Sequence, residues 1–277
     1  MKNVCVLGLG YIGLPTAAIL ASRGYKVTGV DVSQEVVNSI SRGEVHIVEP
    51  DLDMLVRSGI NSENFRVSLE PNDSDVYIIC VPTPFKDSEG TPVPDISYVE
   101  CCAKQLAGYV EKGNMVILES TSPPGTTEKV AELLSVSGLE VGEDIFVAHA
   151  PERVLPGNIL REVVENDRIV GGVNLKSARK VKEFYEGFVK GEVVATDSRT
   201  AELCKLVENS YRDVNIAFAN EMANVSELFG INVWDLIKFA NRHPRVNILN
   251  PGPGVGGHCI AVDPWFIIDV AKEDTPL

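Results

Sequence analysis

Residues 3–13 read NVCVLGLGYIG, and residues 26–31 read KVTGVD. Asn3–Leu7 is a β-branched apolar run of the kind that fills a strand buried on both faces of a parallel sheet. It passes into Gly8, Gly10 and Gly13, and a helical stretch, Leu14–Ser22, follows. Each glycine has a mechanical reason: Gly8 permits a tight turn, Gly10 lets a pyrophosphate approach the backbone, and Gly13 lets the helix pack on the sheet. The turn through Tyr11 and Ile12 then presents the free N–H groups of a helix start to phosphates. Lys26–Val30 is a second strand, closed by Asp31 about 20 residues on, where a carboxylate accepts hydrogen bonds from the adenosine ribose. A 2′-phosphate would meet that negative charge, so the pattern predicts NAD over NADP. Glycine spacing alone is a weak signal. Strand, helix and acid together predict a dinucleotide-binding domain.

The β/α alternation continues. Val76–Val81 and Met115–Leu118 read as strands with a helix, Ile96–Tyr109, between them; Ile145–Ala148, Ile169–Val173 and Gly191–Thr196 are further strands. The expected fold is α/β: a Rossmann-type, doubly wound, mostly parallel sheet over residues 1–196. Two strands run into Val81-Pro82-Thr83-Pro84 and Glu119-Ser-Thr121-Ser-Pro-Pro-Gly125. Ligands of open α/β sheets bind outside the carboxyl ends of strands, which places Val81, Pro82, Thr83 and Thr121 beside the cofactor. Ordinary turn chemistry would also account for either loop taken alone.

From Asp197 the pattern changes to one helical period. Leu203, Leu206, Val207, Tyr211, Val214, Ala217, Phe218, Met222, Val225 and Leu228 recur at steps of three and four as far as Gly230, a C-terminal stop. Roughly 30 residues at 1.5 Å each make a helix near 45 Å, long enough to connect domains or line a dimer interface. Residues 197–277 are expected to form a central helical domain. Lys205 and Asn209 are neighbours on one face of the long helix, off the apolar stripe, which by itself describes a solvated face. A second helix, Asn232–Asn241, precedes an irregular stretch and the segment PGPGVGGHCIAVDP, residues 251–264. That segment reads either as a nucleophile held against a bulky substrate or as a flexible loop around a structural cysteine.

A formal charge of −14 over 277 residues argues against non-specific nucleic-acid binding. No apolar run approaches the roughly 18 residues of a membrane helix, and the N-terminal run reads as a buried strand rather than a signal peptide. Six cysteines without a CxxC pair or regular spacing suggest reduced thiols, no metal and a cytoplasmic protein. Cys5 and Cys80 lie in strand-like runs as small hydrophobes.

The motifs GLGYIGLPTA, VPTP, ESTSPPGT, APERVLPG, AELCKLVENSYR and PGPGVGGHCIAVDP occur in this order along essentially the whole chain. In this the chain resembles the UDP-sugar 6-dehydrogenases of the UDP-glucose/GDP-mannose dehydrogenase family, which oxidise a C6 alcohol to a carboxylate with two NAD. PERVLPG and NRHPRVNILNPGPGVGGHCIAVDPWF look most like the branch acting on UDP-N-acetyl-D-mannosamine, because the UDP-glucose enzymes carry Phe where this chain has Arg153. The resemblance implies that Cys259 is the nucleophile, forming a thiohemiacetal that is oxidised to a thioester and hydrolysed. It implies that Lys205 and Asn209 stabilise the oxyanions, that Thr121 and Glu152 hold the catalytic water and serve as acid and base, and that Asp263 completes the water network. His258, adjacent in an extended loop, points away from Cys259 and reads as a loop residue. For the substrate, the resemblance implies contacts from Arg153, Val154, Leu155, Lys205, Asn209 and Arg212, and from backbone amides at Gly254, Gly256 and Gly257. Arg245 resembles an arginine lent by the neighbouring subunit of a homodimer. The family's C-terminal UDP-binding domain is absent from this chain, so a truncation that retains NAD binding is expected. Other readings are a UDP-GlcNAc or UDP-glucose enzyme, a 6-phosphogluconate or 3-hydroxyacid dehydrogenase that needs no cysteine, and an NAD-binding dimerisation module without turnover.

Overall fold

Asn3–Leu7 forms strand β1, with Val4, Cys5, Val6 and Leu7 buried. The glycine turn leads into helix α1, Gly13–Ser22, and then β2, Lys26–Val30, pairs with β1 in parallel from Asn3↔Lys26 to Leu7↔Val30. The structure is a computed structural model and describes residues 2–88, 91–257 and 260–271. His258 and Cys259 lie outside the described residues.

The remaining elements, in chain order, are α2 (Gln34–Ser41), α3 (Leu52–Asn61), β3 (Phe65–Ser68), β4 (Val76–Ile79), β5 (Phe85–Ser88) and β6 (Thr91–Pro94). They continue with α4 (Ser97–Leu106), β7 (Met115–Leu118), α5 (Thr126–Leu134), β8 (Phe146–His149), α6 (Ile159–Glu165), β9 (Arg168–Gly172) and α7 (Leu175–Tyr185). Last come β10 (Val193–Asp197), α8 (Ser198–Leu228), α9 (Val233–Ala240) and α10 (Asp263–Ala271).

Eight strands form one sheet in the order β10-β9-β8-β7-β4-β1-β2-β3. β1 lies between β2 and β4 and is parallel to both, so the strand order reverses there, and a crevice opens at the carboxyl ends of β1 and β4. The sheet is parallel except at β8–β9. Side chains alternate between two apolar layers: Val4, Val6, Ile78 and Ile117 face one, and Cys5, Leu7, Ile79 and Leu118 the other. Helices α1, α3, α6 and α7 cover the first layer, and α4 and α5 the second. Each fully buried Ile or Leu of this sandwich contributes about 2–3 kcal/mol of apolar transfer, so a strand buried on both faces is held from two sides.

Several limits differ from the sequence expectation. β4 closes at Ile79, two residues early, although the Cys80 N–H still bonds the Leu7 carbonyl at 2.7 Å. β8 and β9 are each shifted by one residue, and α4 is shorter than expected at both ends. Strands β3, β5 and β6 and helices α2, α3, α5, α6 and α7 are not among the elements expected from the sequence.

By its contacts the chain divides into two compact units, residues 1–84 with 95–203, and residues 85–94 with 204–277. The division falls inside α8. In the second unit β5 and β6 form an antiparallel hairpin, and α10 packs against β6. Helix α8 runs 31 residues, or roughly 46 Å at 1.5 Å per residue. It stops where expected: Gly230 takes a positive φ of 66°, and the Ile231 N–H returns to the Ser226 carbonyl at 2.9 Å. Asn232 caps α9 by accepting from the Trp234 N–H at 2.9 Å. Among the described residues no helix is long and apolar enough to cross a membrane.

Candidate active site

The glycine turn is shaped by its surroundings. Gly8 has φ +92°, and a Cβ there would lie 2.6 Å from the Cys80 carbonyl oxygen. A Cβ at Gly13 would lie 1.9 Å from the Gly8 carbonyl oxygen, so only hydrogen fits between turn and helix. Gly10 is the opposite case: a Cβ there would meet nothing within 4 Å, leaving open space above the backbone. No side chain caps α1 and no acid occupies its first turn; the Leu14 and Thr16 N–H groups turn back to the Gly10 and Ile12 carbonyls and Pro15 has none, so an anion would meet the turn ahead of them, up to the Gly13 N–H. Tyr11 is exposed in that turn.

Asp31 is fixed at the end of β2. Its Oδ2 accepts the Leu9 N–H at 3.0 Å and its Oδ1 the Ser33 N–H at 2.9 Å. Each oxygen keeps a further lone pair for a ribose hydroxyl. Val81, Pro82 and Thr83 follow β4, and Ser120 ties the next loop to them by donating to the Val81 carbonyl at 2.7 Å. Thr121 follows Ser120 and is half-buried. An open floor, an uncapped helix start and an oriented carboxylate fit a dinucleotide.

Beyond β8, Glu152 is buried in a cluster that the sequence reading did not foresee. Its Oε1 accepts the Arg153 N–H at 2.8 Å, and its Oε2 accepts from Nη2 of Arg168. Arg168 donates through Nη1 to Glu119 at 3.0 Å and stacks 4.4 Å above the centre of the Tyr185 ring. Tyr185 donates its hydroxyl to the same Glu119 oxygen at 2.6 Å, and Cys80 and Thr16 reach the other oxygen at 3.3 and 3.4 Å. Burial pushes the Glu119 carboxyl up, with Arg168 opposing and Glu152 reinforcing the shift. Burial works against the Arg168 charge, but Glu152, Tyr185 and Glu119 more than compensate and hold it protonated. An arginine opening an apolar run, Arg168-Ile-Val-Gly-Gly, was the one signal in the sequence, since a charge there must be paired.

The loop after Glu152 is held by carboxylates. Glu49 accepts the Gly157 and Ile159 N–H groups at 2.8 and 2.7 Å, and Glu162 accepts that of Leu155 at 2.8 Å. Val154 packs on the core, and Leu155 is exposed. The Arg153 guanidinium donates to the Asp167 carbonyl.

In the second unit, Asn209 and Asp263 come together although 54 residues separate them: Nδ2 donates to Oδ2 at 2.5 Å. Asn209 is 6% exposed and Asp263 3%, so the solvated face suggested by helical spacing alone does not hold for Asn209. Burial pushes the Asp263 carboxyl up, while the Asn209 amide and the charge of Lys205 pull it down. Asp263 is also the first residue of α10, where the helix start favours an anion. Asn220 on α8 anchors the glycine loop by accepting the Gly252 N–H at 2.8 Å. Gly254, Gly256 and Gly257 are exposed, as are Arg212 and Arg245. Cys259, the expected nucleophile, lies outside the described residues.

Residues 2–189 match the NAD-binding domain, and residues 199–276 the central domain, of the UDP-glucose/GDP-mannose dehydrogenase family. An NDP-N-acetyl-D-galactosaminuronic acid dehydrogenase of Ralstonia nicotianae is 55% identical over 284 residues, covering 100% of this chain and 66% of the relative. A UDP-N-acetyl-D-mannosamine dehydrogenase of Escherichia coli is 55% identical over 274 residues, covering 96% and 64%. The solved UDP-D-ManNAc dehydrogenase of Pyrococcus horikoshii superposes with a TM-score of 0.93 at 48% identity, over 99% of this chain and 65% of that one. The chain thus spans slightly less than two thirds of the length of each of these three relatives. Its glycine turn, its Asp31 and its matched domains lead to one assignment: the chain belongs to the UDP-glucose/GDP-mannose dehydrogenase family and carries that family's NAD-binding and central domains.

Proposed function

We propose that the chain provides the NAD-binding and catalytic domains of a nucleotide-sugar 6-dehydrogenase, which oxidises the C6 hydroxyl of UDP-N-acetyl-D-mannosamine to a carboxylate. The observation that carries this reading is the Asn209–Asp263 pair with Lys205 acting on it, in a chain that places Cys259 four residues before Asp263. NAD supplies the hydride acceptor for each of two oxidations. Between them the Cys259 thiolate adds to the aldehyde carbon, forming a C–S bond and moving the carbonyl electron pair onto oxygen. Lys205 and Asn209 donate to that oxyanion. After the second oxidation a water adds to the thioester and expels the thiolate; Thr121 and Glu152 are assigned to holding that water, and Asp263, beside Asn209, is assigned to the same step by its place four residues after Cys259. The oriented carboxylate of Asp31 supports NAD rather than NADP as the cofactor.

The test measures NADH formed per sugar, with this chain and with the chain joined to the C-terminal part of a full-length relative. Two NADH per UDP-N-acetyl-D-mannosamine, little from UDP-glucose, and loss of aldehyde oxidation in Cys259→Ser are expected. One NADH per sugar, or Cys259→Ser at the wild-type rate, defeats the reading. The Ralstonia relative favours a second substrate, a nucleotide-activated N-acetylgalactosamine, and the same assay separates the two. We also propose a homodimer through α8, where Tyr211, Val214 and Phe218 are exposed; a monomer by sedimentation equilibrium refutes it.

A further inference from the structure

β9 runs antiparallel to β8, with Ala148 opposite Gly172 and His149 opposite Gly171. Continued beyond the strand ends, that register sets Arg168, the first residue of β9, opposite Glu152. A parallel β9 would begin at the other edge of the sheet, so the reversal brings this arginine to the edge where the loops after β1, β4 and β7 lie. Once there it cannot rotate freely: its side chain is 4% exposed, and one arm of the fork ends on Glu119, whose side chain is 0% exposed. The ring of Tyr185 covers its face.

We infer that Arg168 is the positioning residue for Glu152: its guanidinium, locked between Glu119 and Tyr185, fixes the direction in which the Glu152 carboxylate points. The inference rests on the proposed role of Glu152 in the reaction. Glu152 is held at two points, Arg168 on one oxygen and the Arg153 N–H on the other, which leaves the outward lone pairs in one orientation. Only a rigid two-armed donor can bridge two carboxylates in this way. A lysine at 168 would supply the charge without the bridge.

The test compares Arg168→Lys, Glu152→Gln and the double variant in the form of the enzyme that turns over nucleotide sugar. Arg168→Lys should lower kcat by about a hundredfold, with KM for NAD within about threefold of wild type. In the Glu152→Gln background the same change should cost less than about threefold, because its effect passes through Glu152. Multiplicative losses overturn the inference. A second readout needs no turnover: hydrogen exchange at the Arg153 amide should speed up by about tenfold in Arg168→Lys while that of Ile117 stays unchanged. Unchanged protection at Arg153 overturns the inference even if the protein oxidises no nucleotide sugar, an outcome that would defeat the proposed function instead. If Arg168→Lys does not fold, Tyr185→Phe, which keeps the ring and removes the bond to Glu119, carries both readouts with smaller shifts in the same direction.

Discussion

Glu202→Ala is predicted to unfasten helix α5. Gly125, at the helix start, has no side chain to cap it, and the cap comes instead from a carboxylate 77 residues away. Glu202 accepts the Gly125 N–H at 2.7 Å, the Thr127 N–H at 2.7 Å and the Thr127 hydroxyl at 2.6 Å, and both Glu202 and Thr127 are 0% exposed. Alanine leaves two backbone N–H groups without a partner, at about 1–3 kcal/mol each, so a loss of about 2–6 kcal/mol is expected. A water entering the space would bring the figure to the low end. Burial pushes the Glu202 carboxyl above its ordinary value, against the donors from Thr127 and Gly125. The unpaired N–H groups left by alanine are nevertheless the same in either protonation state. Urea unfolding followed by circular dichroism measures the loss. Arg199→Ala is the control, because its ion pair with Glu128 is exposed on both sides and such pairs contribute only about 0.2–1 kcal/mol. Should Glu202→Ala cost no more than Arg199→Ala, the long-range cap is not what holds α5.

Gly13→Ala places a methyl 1.9 Å from the Gly8 carbonyl oxygen, and NAD affinity by calorimetry should fall by at least about a hundredfold, roughly 3 kcal/mol. Asp31→Asn keeps a side-chain acceptor for the Leu9 N–H but removes the charge. The preference for NAD over NADP should narrow by about tenfold, or 1.4 kcal/mol, in competition binding. His149 is fully buried, neither ring nitrogen makes a hydrogen bond of normal geometry, and burial lowers its pKa from 6.5 to about 3 with the Leu118 backbone opposing in part. Because the unfolded chain takes up this proton and the folded one refuses it, stability falls as pH drops from 6.5 toward 3, by about 2 kcal/mol between pH 7 and pH 5. His149→Leu should remove that part of the slope in unfolding curves measured at the two pH values.

How much of this was readable beforehand depends on the distance over which each residue acts. NVCVLGLGYIG and Asp31 speak locally: a strand, a turn and an acid at a set interval are enough to specify a nucleotide crevice. The 31-residue α8 was equally plain, because one period and one glycine stop define it. Strand β3 escaped because in Phe65-Arg-Val-Ser only Phe65 is buried, which leaves no apolar run to notice. Asn209 was recognised only through family resemblance, since helical spacing cannot say that a carboxylate 54 residues on will cover it. Arg168 and Glu202 were missed for the same reason. One depends on a strand running backwards, the other on N–H groups more than 70 residues away.

The hairpin Phe85–Pro94 has a practical consequence for building hybrids of this family. It is encoded inside the first unit yet belongs to the second, where β6 packs against α10. A single crossover at Leu203 between two relatives would therefore give a mismatched second unit, its hairpin from one parent and its helices from the other. A clean exchange needs three joints, at the two ends of the hairpin and within α8. The linear order of the coding sequence is not the order in which this protein can be taken apart.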